Sequence, residues 1–177
     1  MKLISYYKSF SNKLSHWTLN FCIFISGIMT LQVFFNVVAR YIFNSSIFGG
    51  EELPRYLLIV LTFLGASVAL AKKRHVRLEA GINLFPKRIK YSILFLGNLL
   101  VGLFLIVLLY ESWDLIFIEG FRQRMTELRL PMFYVYIWMP IGAVLMLIHL
   151  SVEIIENIEN FKNPEGVMDI DKSDRII

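Results

Sequence analysis

Three polar side chains recur at i, i+4 and i+8 in an otherwise apolar stretch: Gln32, Asn36 and Arg40. On a helix they form one stripe, with Asn36 about 6 Å and Gln32 about 12 Å from Arg40 along the axis. Two kinds of chemistry use such a stripe: an ion or solute path, or a seam between helices, and the seam is the favoured reading. Some ten residues after Arg40 comes Glu51-Glu52-Leu53-Pro54-Arg55. Carboxylates at a helix start complement its positive end, and proline suits the first turn. Arg40 and the glutamate pair are expected at one level, where Arg40 would ion-pair with Glu51 or Glu52. A catalytic carboxylate pair is the alternative, but no nucleophile or metal ligand stands nearby in sequence.

The elements that hold these residues follow from composition. Of 177 residues, 56% are hydrophobic and 18% charged, against about 45–50% and 25% in ordinary soluble domains. The apolar residues gather into four stretches, and about 20 residues at a 1.5 Å rise cross a ~30 Å hydrocarbon layer. The spans are read as about 17–39, 53–71, 91–113 and 133–151, within a single four-helix membrane domain over 1–163. Residues 164–177 read as a polar, disordered tail. The first span is read as uncleaved, since no small-x-small site follows it before Arg40. One cysteine, Cys22, leaves no intrachain disulfide and no cysteine-based metal cluster.

Orientation follows from the cations. With both termini in the cytoplasm, thirteen Lys and Arg fall inside and five outside, as the positive-inside rule requires. The net charge of +4 is therefore assigned to membrane orientation, with no nucleic-acid partner. The inner gap around His75–Phe85 reads as a short helix in the headgroup layer or as a basic loop, beside Lys87, Arg88 and Lys90 facing anionic lipid. The fold expectation takes the helix: an all-α membrane protein of four transmembrane helices, with a short interfacial helix between the second and third. Pro131 and Pro140 are both candidate starts for the last span.

Gly65 and Ala69, at i and i+4, permit close approach of another helix to the second span. His16 and His149 both fall near the inner ends of their spans, as haem ligands of a membrane cytochrome would. Interfacial histidines are far commoner. No phosphate-binding loop, nucleophile elbow, zinc-protease or EF-hand pattern occurs, and no span carries an acid near its middle. The reading is a non-enzymatic membrane subunit that binds no cofactor. An independent membrane cytochrome or a small exporter subunit is the alternative.

From Asn36-Val37-Val38-Ala39-Arg40-Tyr41-Ile42-Phe43-Asn44 through Glu51-Glu52-Leu53-Pro54-Arg55, the chain resembles a known family. It is similar to the small membrane subunit, the Q component, of tripartite ATP-independent periplasmic (TRAP) transporters. The likeness continues through Phe63-Leu64-Gly65-Ala66 and His75-Val76-Arg77-Leu78-Glu79, and more loosely through Leu130-Pro131 and Met139-Pro140-Ile141-Gly142. Gly49 stands where a Trp is usual, Pro54 where Ala is common, and Glu79 where Asp often occurs.

The resemblance implies a scaffold role in the bacterial inner membrane. Such systems import organic acids, typically C4-dicarboxylates or sialic acid, on a sodium gradient. A large elevator subunit holds the substrate and sodium sites, and a periplasmic binding protein delivers the substrate. On that expectation Gln32, Asn36, Arg40, Glu51, Glu52, Arg55, Gly65 and Ala69 serve structure and interface. The segment Glu111–Pro131, with exposed Phe117 and Phe121, would help to dock the binding protein through Arg122, Arg124 and Arg129.

Overall fold

The computed structural model describes residues 2–72 and 87–162. The described chain is almost wholly helical: α1 (Lys2–Ile42), α2 (Glu52–Ala71), α3 (Lys87–Asp114), a π-helical turn (Leu115–Glu119), α4 (Gly120–Arg122), α5 (Phe133–Tyr136) and α6 (Trp138–Lys162). Among the described residues four helical stretches are long and apolar enough to cross a membrane: Tyr6–Ile42, Glu52–Ala71, Phe95–Arg122 and Phe133–Ile155. The interfacial helix expected at His75–Phe85 and the tail after Asn163 lie outside the described residues.

Helix boundaries depart from the expected spans where polarity and helicity part company. α1 has 41 residues, about 61 Å at the helical rise, twice a hydrocarbon layer. Nothing between Lys2 and Trp17 breaks a helix, so it continues where apolar residues thin out. The third crossing continues past Trp113 because the π-helical turn absorbs one extra residue and leads into α4. At the last span the two prolines divide the work. Pro131 lies in an isolated antiparallel bridge with Arg124, while Pro140 occupies the first turn of α6. Pro140 has no N–H to give to Tyr136, and the helix breaks at Ile137 between α5 and α6.

The long helices stand in the spatial order α1, α2, α6, α3, with α2 packed along both α1 and α6, and α6 along both α2 and α3. Cys22 and Ile25 of α1 meet Val60 and Leu64 of α2, with Trp138 and Leu145 against them. Farther along, Leu70, Leu105 and Leu150 tie α2, α3 and α6 together. Toward the termini α1 also bonds α6 directly. Ser11 Oγ lies 2.7 Å from His149 Nδ1, and Tyr7 Oη lies 3.1 Å from Ser151 Oγ. α3 leaves most of its circumference open: Phe95, Leu99, Leu103 and Ile106 are all exposed, an apolar surface suited to hydrocarbon.

Close approach sets the α2–α6 contact. A β-carbon at Gly142 would stand 2.7 Å from Phe63 Cβ and 3.1 Å from its backbone. Gly142→Val should therefore force the helices apart and cost about 1–3 kcal/mol. Gly27 and Gly97 have no atom within 4 Å of a β-carbon, so alanine at either should be nearly neutral. Unfolding of the detergent-solubilised chain measures both.

Candidate functional site: a clasp between two connections

Two connections meet at the end of the molecule opposite the termini. The first joins α1 to α2, and α1 itself shapes it. Asn36 Oδ1 accepts the Ile47 N–H at 3.2 Å, and Gln32 Nε2 donates to the Gly49 carbonyl at 3.3 Å. Gly49 adopts φ +73°, a left-handed conformation that glycine takes without a steric cost. At Gly50 a methyl group would overlap the Asn36 side chain, so that position has room only for hydrogen. The second connection, Gln123–Met132, folds into a narrow hairpin. Met125 N–H donates to the Leu130 carbonyl and Met132 N–H to that of Gln123, at 2.8 and 3.1 Å. Thr126, Glu127 and Leu128 form its tip.

That tip has three successive backbone N–H groups and no carbonyl of its own to receive them. All three go to the carboxylate of Glu52 at the start of α2. Oε1 accepts from Thr126 at 2.7 Å, and Oε2 from Glu127 at 2.8 Å and Leu128 at 3.1 Å. Tyr56, one turn on, donates its hydroxyl to Oε1 at 2.7 Å. Each oxygen thus receives two donors, and a carboxylate only 7% exposed is fully satisfied. Successive N–H groups of this kind form an anion-binding concavity, here filled from within the chain. The second connection reciprocates: Glu127 Oε2 accepts the Gly49 N–H at 2.7 Å. Glu52 at the start of α2 thus holds the second connection, and Glu127 of the second connection holds the first.

The residues singled out in the sequence divide around this clasp. Gln32, Asn36 and Glu52 belong to it. Gln32 and Asn36 spend their hydrogen bonds on loop backbone, where a seam with a neighbouring helix was the expectation. Arg40 lies outside it, with Nη1 3.5 Å from Glu51 Oε1 and side chains 68% and 63% exposed. Glu51 and Glu52 are thus separated: one faces solvent and Arg40, the other turns inward to the hairpin. Arg55 is exposed on α2, and Gly65 and Ala69 lie farther along that helix, half-buried. Arg122, Arg124 and Arg129 are exposed, and Arg122 Nη1 is 3.9 Å from Glu119 Oε1. Phe117 and Phe121 are exposed beside them.

Tyr56, Glu127, Gly49 and Gly50 take parts that the sequence reading did not assign. Only the i, i+4 spacing of Glu52 and Tyr56 hints at theirs. At the other end His149 is buried against Ser11, whereas His16 lies on the exposed side of α1, so the two do not form a facing pair. Among the described residues no three of His, Cys, Asp and Glu gather as a metal site.

The described residues, helical in the main with four stretches able to cross a membrane and a polar clasp at one end, can be set beside known proteins. Residues 29–160 match the family described as the DctQ component of tripartite ATP-independent periplasmic transporters. The chain belongs to that family. It is a small permease subunit of a TRAP transporter and a multi-pass membrane protein. Among similar proteins, the ectoine TRAP transporter small permease protein TeaB of Halomonas elongata is 27% identical over 119 residues, 67% of this chain and 62% of that one. The C4-dicarboxylate TRAP transporter small permease protein DctQ of Vibrio cholerae is 32% identical over 93 residues, 51% of this chain and 39% of that one. The sialic acid TRAP transporter permease protein SiaT of Haemophilus influenzae is 37% identical over 82 residues, 45% of this chain but 12% of that much longer one. The chain matches less than two thirds of the length of each of these relatives. The matched family region contains the clasp entire, from Gln32 to Leu128.

The small permease subunit should tolerate loss of its outer ion pair better than loss of a clasp residue. Arg40→Ala removes a solvent-exposed contact and should cost at most about 1 kcal/mol. Asn36→Ala strips the acceptor from the Ile47 N–H beneath a 9%-exposed side chain and should cost about 1–3 kcal/mol. Denaturant unfolding of the two variants side by side checks the order.

Proposed function

We propose that this subunit is a non-enzymatic scaffold in a sodium-coupled importer of organic acids. In this reading it lies in the bacterial inner membrane with both termini in the cytoplasm, so that the clasp faces the periplasm. The large subunit carries the substrate and sodium sites, and this chain binds no cofactor. The observation that supports it most is the division of the molecule. Its long helices leave broad apolar sides open, while its polar chemistry is spent on fixing the shape of one end.

The partner in the membrane is the large TRAP subunit. In SiaT, the segment similar to this chain is a small part of a single longer permease, an arrangement that supports close association of the two here. Its docking face is proposed along the outward side of α2, where Arg55, Leu58 and Thr62 are exposed and a β-carbon at Gly65 would meet nothing of this chain within 4 Å. Small residues let helix backbones approach in lipid, where no hydrophobic force drives them together. Arg40, Glu51 and Arg55 would lie at the outer edge of that face. Substrate choice is assigned to the other components, because relatives named for ectoine, C4-dicarboxylate and sialic acid systems all resemble this one chain.

The periplasmic binding protein would meet the clasp end in part through Arg122, Arg124 and Arg129, facing acidic patches. Rim charges set encounter rate and register more than affinity.

Two experiments test the assignment. Gly65→Leu should abolish co-purification with the large subunit, while Leu99→Ala on the lipid-suited side of α3 should leave it intact. Replacing Arg122, Arg124 and Arg129 together by Ser should raise the half-saturating concentration of binding protein in proteoliposome uptake, with assembly unchanged. Added salt should weaken the wild type more than this variant. Uptake by the purified chain alone would overturn the scaffold reading.

A further inference from the structure

We propose that Glu52 is the positioning residue of the docking surface: by accepting the three N–H groups of the hairpin tip it holds Arg124 and Arg129 in place, without itself touching the partner. The inference rests on the docking role proposed above.

Arg124 precedes the tip by two residues and Arg129 follows it by one. Their backbones are held in turn by the hairpin. Arg124 forms the antiparallel bridge with Pro131, and Arg129, at φ +55°, donates its N–H to the Met125 carbonyl at 3.1 Å. Within the hairpin nothing accepts from Thr126, Glu127 and Leu128, whose partner lies on a different helix. The tip is therefore anchored to the membrane domain through one carboxylate and through Glu127, which reaches back to Gly49. Both arginines are exposed, so their own side chains add little to that anchoring.

Glu52→Gln isolates the effect. The carboxamide keeps the size of the carboxylate, but its –NH₂ group would face two donors in place of an acceptor. Loss of a charge-assisted hydrogen bond should make the detached tip roughly ten- to a hundredfold more populated. When the competent state is only partly populated, apparent affinity falls in proportion. The half-saturating concentration of binding protein should then rise by the reciprocal of the held fraction, roughly tenfold where a tenth of the tips stay held, while the rate at saturation changes by less than about twofold. A merely structural role would lower the maximal rate and complex yield instead.

The test uses the assembled transporter in two measurements: amide hydrogen exchange at Thr126–Leu128, and uptake titrated with binding protein. Faster exchange together with raised half-saturation in Glu52→Gln supports the proposal. Exchange or half-saturation at the wild-type value overturns it. If the triple arginine variant raises half-saturation and Glu52→Gln does not, docking stands and the positioning role falls. If the arginine variant itself is silent, the docking reading falls and this proposal with it. Should Glu52→Gln fail to assemble, Tyr56→Phe and Glu127→Ala each remove one bond of the clasp and leave the Glu52 charge. Both must then raise half-saturation in the same direction by a smaller factor, and no change in either overturns the proposal.

Discussion

The shape of the loop end depends on one carboxylate accepting four hydrogen bonds. Glu52 belongs to α2 by sequence, but three of its four donors come from a hairpin more than seventy residues away. A turn with three successive N–H groups directed the same way has an unmet demand for an acceptor. Left unmet beneath a closed surface, each such group costs about 1–3 kcal/mol. A single charged acceptor at the first turn of α2 meets all three. The same charge also suits the positive end of that helix, so two separate requirements favour one residue type. The hairpin then has one position relative to α2, and Gly49, tied to Glu127, fixes the first connection to the second.

Polar bonds matter here because apolar packing cannot do the whole work. In a membrane, exposing an apolar side chain to lipid costs little, so helices associate through close approach and directed bonds. The structure uses both. Gly142 lets α6 lie against the Phe63 backbone, and Leu150 comes within 3.3 Å of a β-carbon at Gly102 of α3. Ser11–His149 and Tyr7–Ser151 join α1 to α6 at the far end. The helices form a row in which α3 packs chiefly on one neighbour, and such a row keeps wide sides available.

Much of this architecture was legible in the sequence, for a definite reason. Crossing a hydrocarbon layer demands some twenty apolar residues in helical form, so composition alone marked four helices. Their ends were less legible, since polarity says where a membrane stops and not where a helix does. α1 continues to Lys2 through residues with no reason to break, and the third crossing passes Trp113 on a π-helical turn that no residue type announces. The Gln32–Asn36–Arg40 stripe was visible as a set, but not what it binds. Glu51 and Glu52 look equivalent in sequence. Only the fold distinguishes them, because helical phase turns one toward solvent and the other toward the hairpin.

The pairing of Glu52 with the tip of Gln123–Met132 was illegible for a deeper reason. Its donors are main-chain groups, which every residue except proline possesses, so no side-chain pattern records the contact. What the sequence does record is the set of exceptions the clasp requires: a glycine at 50 where Asn36 leaves no room, a glycine at 49 with positive φ, and a tyrosine one turn after Glu52. Leu128 occupies the space beside Gly49, with its Cδ2 3.0 Å from a β-carbon at 49. A large side chain at 49 would need both a strained backbone and a displaced Leu128. The bonds to Glu52 can persist through a change of residues at the tip, because their donors are main-chain N–H groups that no substitution there other than proline removes.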